Sequence, residues 1–188
     1  LEHEAGKEIC VDFAGTKLHI VNKATGEQIP VEVFVSILPS SHYTYAEACL
    51  SQKREDFLSC MGNALQFYGG VPKAIVTDNL KSAVSRASRY EPKINRSLKD
   101  FARHYNCVIN PTRTYSPQDK ALVEHAVRLV YQRIYYPIRS ITFFSLEELN
   151  QEIRRRLADY NKLLLQRKEA SREELFQRSE RQYLKPLP

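Results

Sequence analysis

Tryptophan is absent from this chain of 188 residues, and glycine is scarce at 6. The aromatic share of any core therefore falls to 11 Tyr and 8 Phe. With a hydrophobic content of 43%, that suffices for one domain with an appendage. No apolar run approaches the ~18 residues that a membrane span needs, and no secretory leader is visible. A membrane role is not expected. There are only four cysteines, Cys10, Cys49, Cys60 and Cys107, and none forms a C-x-x-C pair. Zinc wants clustered ligands at tight spacing, so a structural zinc site is disfavoured. Thiols in apolar runs are ordinarily buried and free. Nothing about them points to an oxidising compartment, and the expected setting is cytoplasmic. Internal repeats and low-complexity tracts are also missing. The chain opens on Leu1 and stops at Lys185-Pro186-Leu187-Pro188, and reads as an excised piece of a longer protein.

Charge is present but unevenly spread. The net charge is +6. Residues 1–70 hold 5 Lys and Arg against 9 Asp and Glu, whereas residues 71–135 hold 12 against 5. Residues 151–188 hold 10 against 6. Clustered cations attract phosphates, so the middle of the chain favours a polyanionic partner. A merely solvated basic surface remains the plain alternative.

Periodicity predicts strands over 8–14, 16–22 and 28–38, with a shorter one at 42–49. The second is expected to form a hairpin with the first. Ser51 is expected to cap a helix over about 53–68, which Gly69-Gly70 would end. Ala74-Ile75-Val76-Thr77 reads as a short buried strand parallel to the first. A helix at about 93–105 and a strand at Cys107-Val108-Ile109-Asn110 follow. Ser116-Pro117 with Asp119 is a strong helix start, since Ser caps, Pro suits the first turn and Asp favours the positive end of the helix dipole. This helix is expected to run to Tyr135, before Pro137. Ser145-Leu-Glu-Glu148 opens another helix with a capping box, and Ser171 opens a last short one. The order predicts an α/β fold, a mixed sheet with helices on its faces.

Three acids stand out against this frame. Asp12 lies inside the apolar run Ile9-Cys10-Val11-Asp12-Phe13-Ala14, where a carboxylate is costly unless paired or metal-bound. Its plain alternative is a solvent-facing place on an edge strand. Asp78 follows Ile75-Val76-Thr77, at the carboxyl end of a strand where ligand sites of α/β sheets lie. Alternatively, Asp78-Asn79 is only an Asx turn. Glu124 borders the apolar stripe of Val123, Ala126, Val127, Val130 and Ile134. It could equally make ordinary pairs with Lys120 and Arg128 one turn either side. Tyr131, Tyr135 and Tyr136 read as packing and surface residues, because no constellation of Arg and His surrounds any one of them. Three converging carboxylates can hold divalent ions, and two such ions can cut and join phosphodiesters.

Val11-Asp12-Phe13-Ala14-Gly15, Thr77-Asp78-Asn79-Leu80-Lys81-Ser82-Ala83-Val84 and Asp119-Lys120-Ala121-Leu122-Val123-Glu124-His125-Ala126-Val127, in this order, resemble the catalytic core of retroviral-integrase-like DDE transposases. In detail the chain looks like the IstA-type transposases of bacterial insertion sequences that encode an AAA+ ATPase helper. The resemblance implies a ribonuclease-H-like mixed five-stranded sheet flanked by helices, with extra C-terminal helices. It implies a catalytic core at 1–140 and a helical extension at 141–188 leading toward a further domain. It carries Asp12, Asp78 and Glu124 over as ligands of two Mg²⁺ ions, with Mn²⁺ as substitute. The implied activity is metal-dependent 3′-end cleavage and strand transfer. Implied partners are DNA, both transposon ends and target, a second copy of the chain, and the helper ATPase. Candidate phosphate contacts are Lys120, Arg128 and Arg113, with Lys81 a weaker one. The alternatives are a non-catalytic DNA-binding or assembly module on the same fold, and a generic ribonuclease-H-like nuclease.

Overall fold

A computed structural model describes residues 3–77, 92–109, 116–166 and 168–188, with the backbone alone for 92–95. Its centre is a mixed sheet. Strands β1 (Glu8–Phe13), β2 (Leu18–Val21), β3 (Gln28–Ile37) and β4 (Thr44–Cys49) are antiparallel where they pair, and β5 (Ala74–Val76) and β6 (Val108–Ile109) add to β1 in parallel. Six strands are present rather than five. The reason is a break between β1 and β2. They do not pair as a hairpin; both pair with β3, through its residues 34–37 and 28–31. Ala14 N–H still donates to the Val33 carbonyl and Leu18 already faces Val31, so residues 15–17 bulge opposite Glu32 alone. The bulge delivers the Lys17 ammonium to within 3.0 Å of the buried Glu32 carboxylate. Alternation identifies a strand but not its partner, which is why the sequence suggested a hairpin.

Helices cover both faces. On one, α1 (Arg54–Tyr68) buries Phe57, Cys60, Met61, Ala64, Leu65 and Tyr68. Phe57 meets Phe13 and Phe34 with ring centroids 6.4 and 6.0 Å apart, and Phe13 and Phe34 lie edge-on at 5.9 Å. The N-cap of α1 is Lys53, not Ser51. Ser51 instead accepts from Lys53 N–H at 3.1 Å and hydroxyl-bonds Asp56. Gly69 ends the helix in the left-handed conformation at φ 71°. Helix α2 (Pro92–Tyr105) follows.

On the other face lies α3 (Pro117–Val130), whose Val123 and Ala126 pack on Cys10 of β1, Ile37 of β3 and Val76 of β5. Pro137 does not end this helix. The chain passes through a π-helical turn (Tyr131–Tyr135) into α4 (Tyr136–Ile138). A proline in a helix lacks an N–H and crowds the carbonyl four residues back. A wider turn just before it accommodates both demands.

The remaining chain braces the sheet. Helix α5 (Leu146–Lys162) buries Leu149, Ile153, Leu157 and Tyr160. It also covers the open edge of β4. Asn150 accepts from Ala48 N–H at 2.7 Å and donates to the Ala48 carbonyl at 2.9 Å. Asn161 does the same for Thr44, at 3.2 and 2.9 Å. Two side-chain amides thus stand in for a neighbouring strand and close an edge that could recruit another chain. Helix α6 (Arg172–Ser179) and the tail return to the start of the chain. Lys185 and Val71 exchange backbone bonds of 2.8 and 2.9 Å, and the buried Glu180 carboxylate accepts from Ser41 N–H at 3.0 Å. Among the described residues no helix is long and apolar enough to cross a membrane.

Candidate active site

Side-chain alternation decides what each face of β1 carries. Ile9, Val11 and Phe13 belong to the large aromatic core. Cys10 points the other way, into the small cluster formed with α3. Asp12, two residues on, shares the Cys10 face. It is half-buried, and its Oδ1 accepts Phe13 N–H at 2.8 Å, which orients the carboxyl group. The pairing of β1 with β5 runs through Cys10 and Val76, two residues before Asp12. Thr77, next along, is fully buried. Asp78, Lys81 and Arg113 lie outside the described residues.

Glu124 is held by α3. Ser116 caps that helix by accepting Asp119 N–H at 3.1 Å, and Pro117 occupies its first turn, as the sequence predicted. Because Val123 and Ala126 face the sheet, Glu124 emerges at the margin of the contact, exposed. Asp12 and the helix bearing Glu124 are therefore on the same side of the sheet. Among the described residues Glu124 makes no ion pair with Lys120 or Arg128. Arg128 turns instead to His125, with Nη2 2.8 Å from Nδ1. Burial first and the Arg128 charge second lower the His125 pKa. Lys120 and Arg128 are both exposed.

Asp119 has a role that helix-capping logic did not reveal. It is 4% exposed, and its carboxylate lies 4.0 Å from His3 Nδ1. His3, Glu8 and Asp119 offer ligand atoms all within 4.8 Å of one another. Glu8 precedes Asp12 by four residues on the same face of β1, about 13 Å along the strand, so this group is separate from Asp12. The signal available in the sequence was the alternation Glu8, Cys10, Asp12, three non-aliphatic residues on one face of an otherwise apolar strand.

The donors suit a hard divalent ion. Asp12 and Glu124 offer carboxylate oxygens, the ligand type Mg²⁺ takes, at a margin open to solvent where such an ion keeps its waters. A thiol route is disfavoured. All four cysteines are buried. The bond to Cys49 and then burial push the Cys60 thiol up, and burial pushes Cys107 up. Neither supplies a thiolate near neutral pH.

The chain has relatives among known proteins. The chain is 43% identical over 186 residues to a Sinorhizobium fredii protein named "Putative transposase", covering 99% of this chain and 36% of that protein. It is 26% identical over 167 residues to the transposase for insertion sequence element IS21 of Pseudomonas aeruginosa, covering 88% and 42%. The chain spans about a third of the length of two of its curated relatives, the Sinorhizobium fredii protein and a putative transposase for insertion sequence IS1162 of Pseudomonas fluorescens. Among solved structures, the catalytic core domain of HTLV-2 integrase in complex with magnesium superposes with a TM-score of 0.60 at 14% identity, over 92% of this chain and 97% of that one. A chain of the simian T-cell lymphotropic virus intasome in complex with PP2A regulatory subunit B56 gamma gives 0.64 at 17%, over 98% and 58%. These likenesses show the fold, a ribonuclease-H-like mixed sheet flanked by helices. Residues 2–117 match the integrase core domain model, a span that takes in β1, β5 and the start of α3 but stops before Glu124, and the chain belongs to the integrase core domain family.

Proposed function

We propose that the chain is the catalytic portion of a DNA transposase, cutting at the ends of a mobile element and joining them to target DNA. The observation that carries this is the placement of Asp12 and Glu124 on one side of the sheet, on elements packed together through Cys10, Val123 and Ala126. The support for Asp78 as third acid is the strand register, since Cys10 and Val76 pair two residues before each aspartate. Asp12, Asp78 and Glu124 would hold Mg²⁺ or Mn²⁺, two ions in all. Bound there, the ions would activate the attacking oxygen and stabilise the leaving one. The chain's own residues orient and attract. Phe13 N–H fixes Asp12, and the Ser116-capped helix fixes Glu124. Lys120 and Arg128 offer exposed cations one turn either side of Glu124, where phosphates would approach without their sequence being read. Arg113 and Lys81 are proposed for the same task. The nucleophile is water in the first step and the freed 3′-OH in the second, so no protein nucleophile is needed.

The transposase names of the relatives support the substrate class. The IstA-type assignment and its AAA+ helper rest on the sequence resemblance, and the dimeric form of the HTLV-2 integrase core supports a homo-oligomeric assembly. Residues 1–140 would carry the chemistry and 141–188 would brace it and lead onward to the rest of the protein. The test uses the full-length protein with Asp78→Asn and Glu124→Gln. Each should abolish 3′-end cleavage and joining on element-end DNA, by at least 100-fold, while melting temperature and DNA affinity hold. Retention of parental activity by either variant overturns the three-acid mechanism. The same retention of binding with no wild-type activity in any metal would favour the non-catalytic module.

A further inference from the structure

The helix that carries Glu124 continues past it for 14 residues, through α3, the π turn and α4. No Asp or Glu occurs between Glu124 and Glu147, while Arg128, Arg133 and Arg139 all do. Within that acid-free stretch lie Tyr131, Tyr135 and Tyr136. The packing here belongs to Ile134 and Ile138, which are 2% and 1% exposed. Tyr135 is engaged through its hydroxyl with the Lys17 carbonyl. Tyr131 is half-buried, and Tyr136 is 47% exposed.

The π turn arranges these rings. In an α-helix, positions five apart point about 140° away from each other. Here Tyr136 N–H donates to the Tyr131 carbonyl, an i→i+5 bond that brings the two residues toward one face. Their ring centroids are 6.3 Å apart, and those of Tyr131 and Tyr135 are 4.9 Å apart. The Arg139 guanidinium stacks on Tyr136, with Cζ 3.5 Å from the centroid, and Arg139 Nη1 donates to the Tyr136 carbonyl at 2.6 Å. Of these contacts the Tyr131–Tyr136 pair is the one that an uninterrupted α-helix would separate.

Resting on the transposase reading, we propose that Tyr131, Tyr136 and Arg139 form a stacking platform for unpaired DNA bases beside the cleavage site. A guanidinium on an aromatic ring presents flat faces and positive charge together, the chemistry that receives single-stranded nucleic acid. Paired bases are covered on both faces, so the platform acts on frayed or single strands. Arg128 lies between Glu124 and Tyr131 along the helix. Tyr131 follows Glu124 by seven residues, about 10 Å along the helix, one or two nucleotides of extended strand.

The test uses the 188-residue chain and a 12-nucleotide single strand carrying 2-aminopurine, with the same sequence as a duplex for comparison. Wild type should bind the single strand and change the probe's fluorescence. Tyr136→Leu keeps bulk but has no aromatic face. It should lower single-strand affinity about tenfold and leave duplex affinity within twofold. Tyr136→Phe should behave as wild type. Circular dichroism and thermal melting check the fold of both, and Tyr131→Leu should repeat the pattern. Equal single-strand binding by Tyr136→Leu and wild type overturns the platform and leaves the transposase reading standing. So does a loss in Tyr136→Phe as large as in Tyr136→Leu, since the hydroxyl and not the ring would then be at work. If wild type binds neither form of DNA, the functional reading fails and the platform with it.

Discussion

The two faces of the sheet are built for different ends. On the α1 side, Phe13, Phe34 and Phe57 interlock, and Tyr68 is buried against Tyr43, Phe67 and Phe176, with its hydroxyl 2.9 Å from that of Ser36. Near β1 on the α3 side, the apolar contact reduces to Cys10, Ile37, Val76, Val123 and Ala126, with Leu122 at its margin. Around that small cluster sit Glu8, Asp12 and Asp119. A β-strand alternates its side chains, so one strand serves both purposes, with Val11 and Phe13 holding the fold and Asp12 offered to solvent and ligand. The lesson is a division of labour. The aromatic face carries the larger apolar core, and the other face carries the carboxylates.

The largest effect should come from Phe34→Ala, at about 3–5 kcal/mol by denaturant unfolding, because the ring is wholly buried and its neighbours are aromatic. A fairer contrast uses one substitution on each face. Val11→Ala should cost about 2–3 kcal/mol and Val76→Ala about 1, since cavity cost depends on what surrounds the lost methyl groups. Equal losses would break the comparison and make the acidic face as much a core as the other.

A pH titration of stability comes next. Burial first, then the Arg172 and Lys168 charges, lower the His42 pKa from 6.5 to about 4. The unfolded chain takes up this proton more readily, so stability is intact above about pH 6.5 and falls as pH drops toward 4. The decline attributable to His42 should be on the order of 1–3 kcal/mol. His42 has φ 62°, a conformation asparagine tolerates. His42→Asn should flatten the decline, and an unchanged decline would assign it to carboxylates instead. The smallest effect is Ser116→Ala, which removes the cap of α3 at about 1 kcal/mol. It should disturb metal and DNA binding more than unfolding, because the cap sits at the end of the helix nearer Glu124 while the buried Val123, Ala126 and Val130 hold the rest of it on the sheet.

Much of this was legible in the sequence. Ser116 and Pro117 announced α3, Gly69 announced the end of α1, and Ser145 and Ser171 cap α5 and α6 as read. These are local signals, set within one turn of helix. What escaped depends on distant partners. Nothing near Asn150 and Asn161 says that they seal the edge of β4, 102 and 117 residues away. The burial of Asp119 depends on Glu8 and His3 at the other end of the chain. Pro137 was read by the ordinary rule that proline ends a helix, and the π turn, which packs on α5, is the exception. Ser51 lost the cap to Lys53 because its hydroxyl found Asp56.

The central claim is that the acidic face is a metal site centred on Asp12 and Glu124. Crystals of the chain soaked in Mn²⁺ and measured near the manganese edge test it most directly. The account predicts one or two anomalous peaks in contact with the Asp12 and Glu124 carboxylates, lost in Glu124→Gln. A peak confined to His3, Glu8 and Asp119, with none beside Asp12, would contradict it.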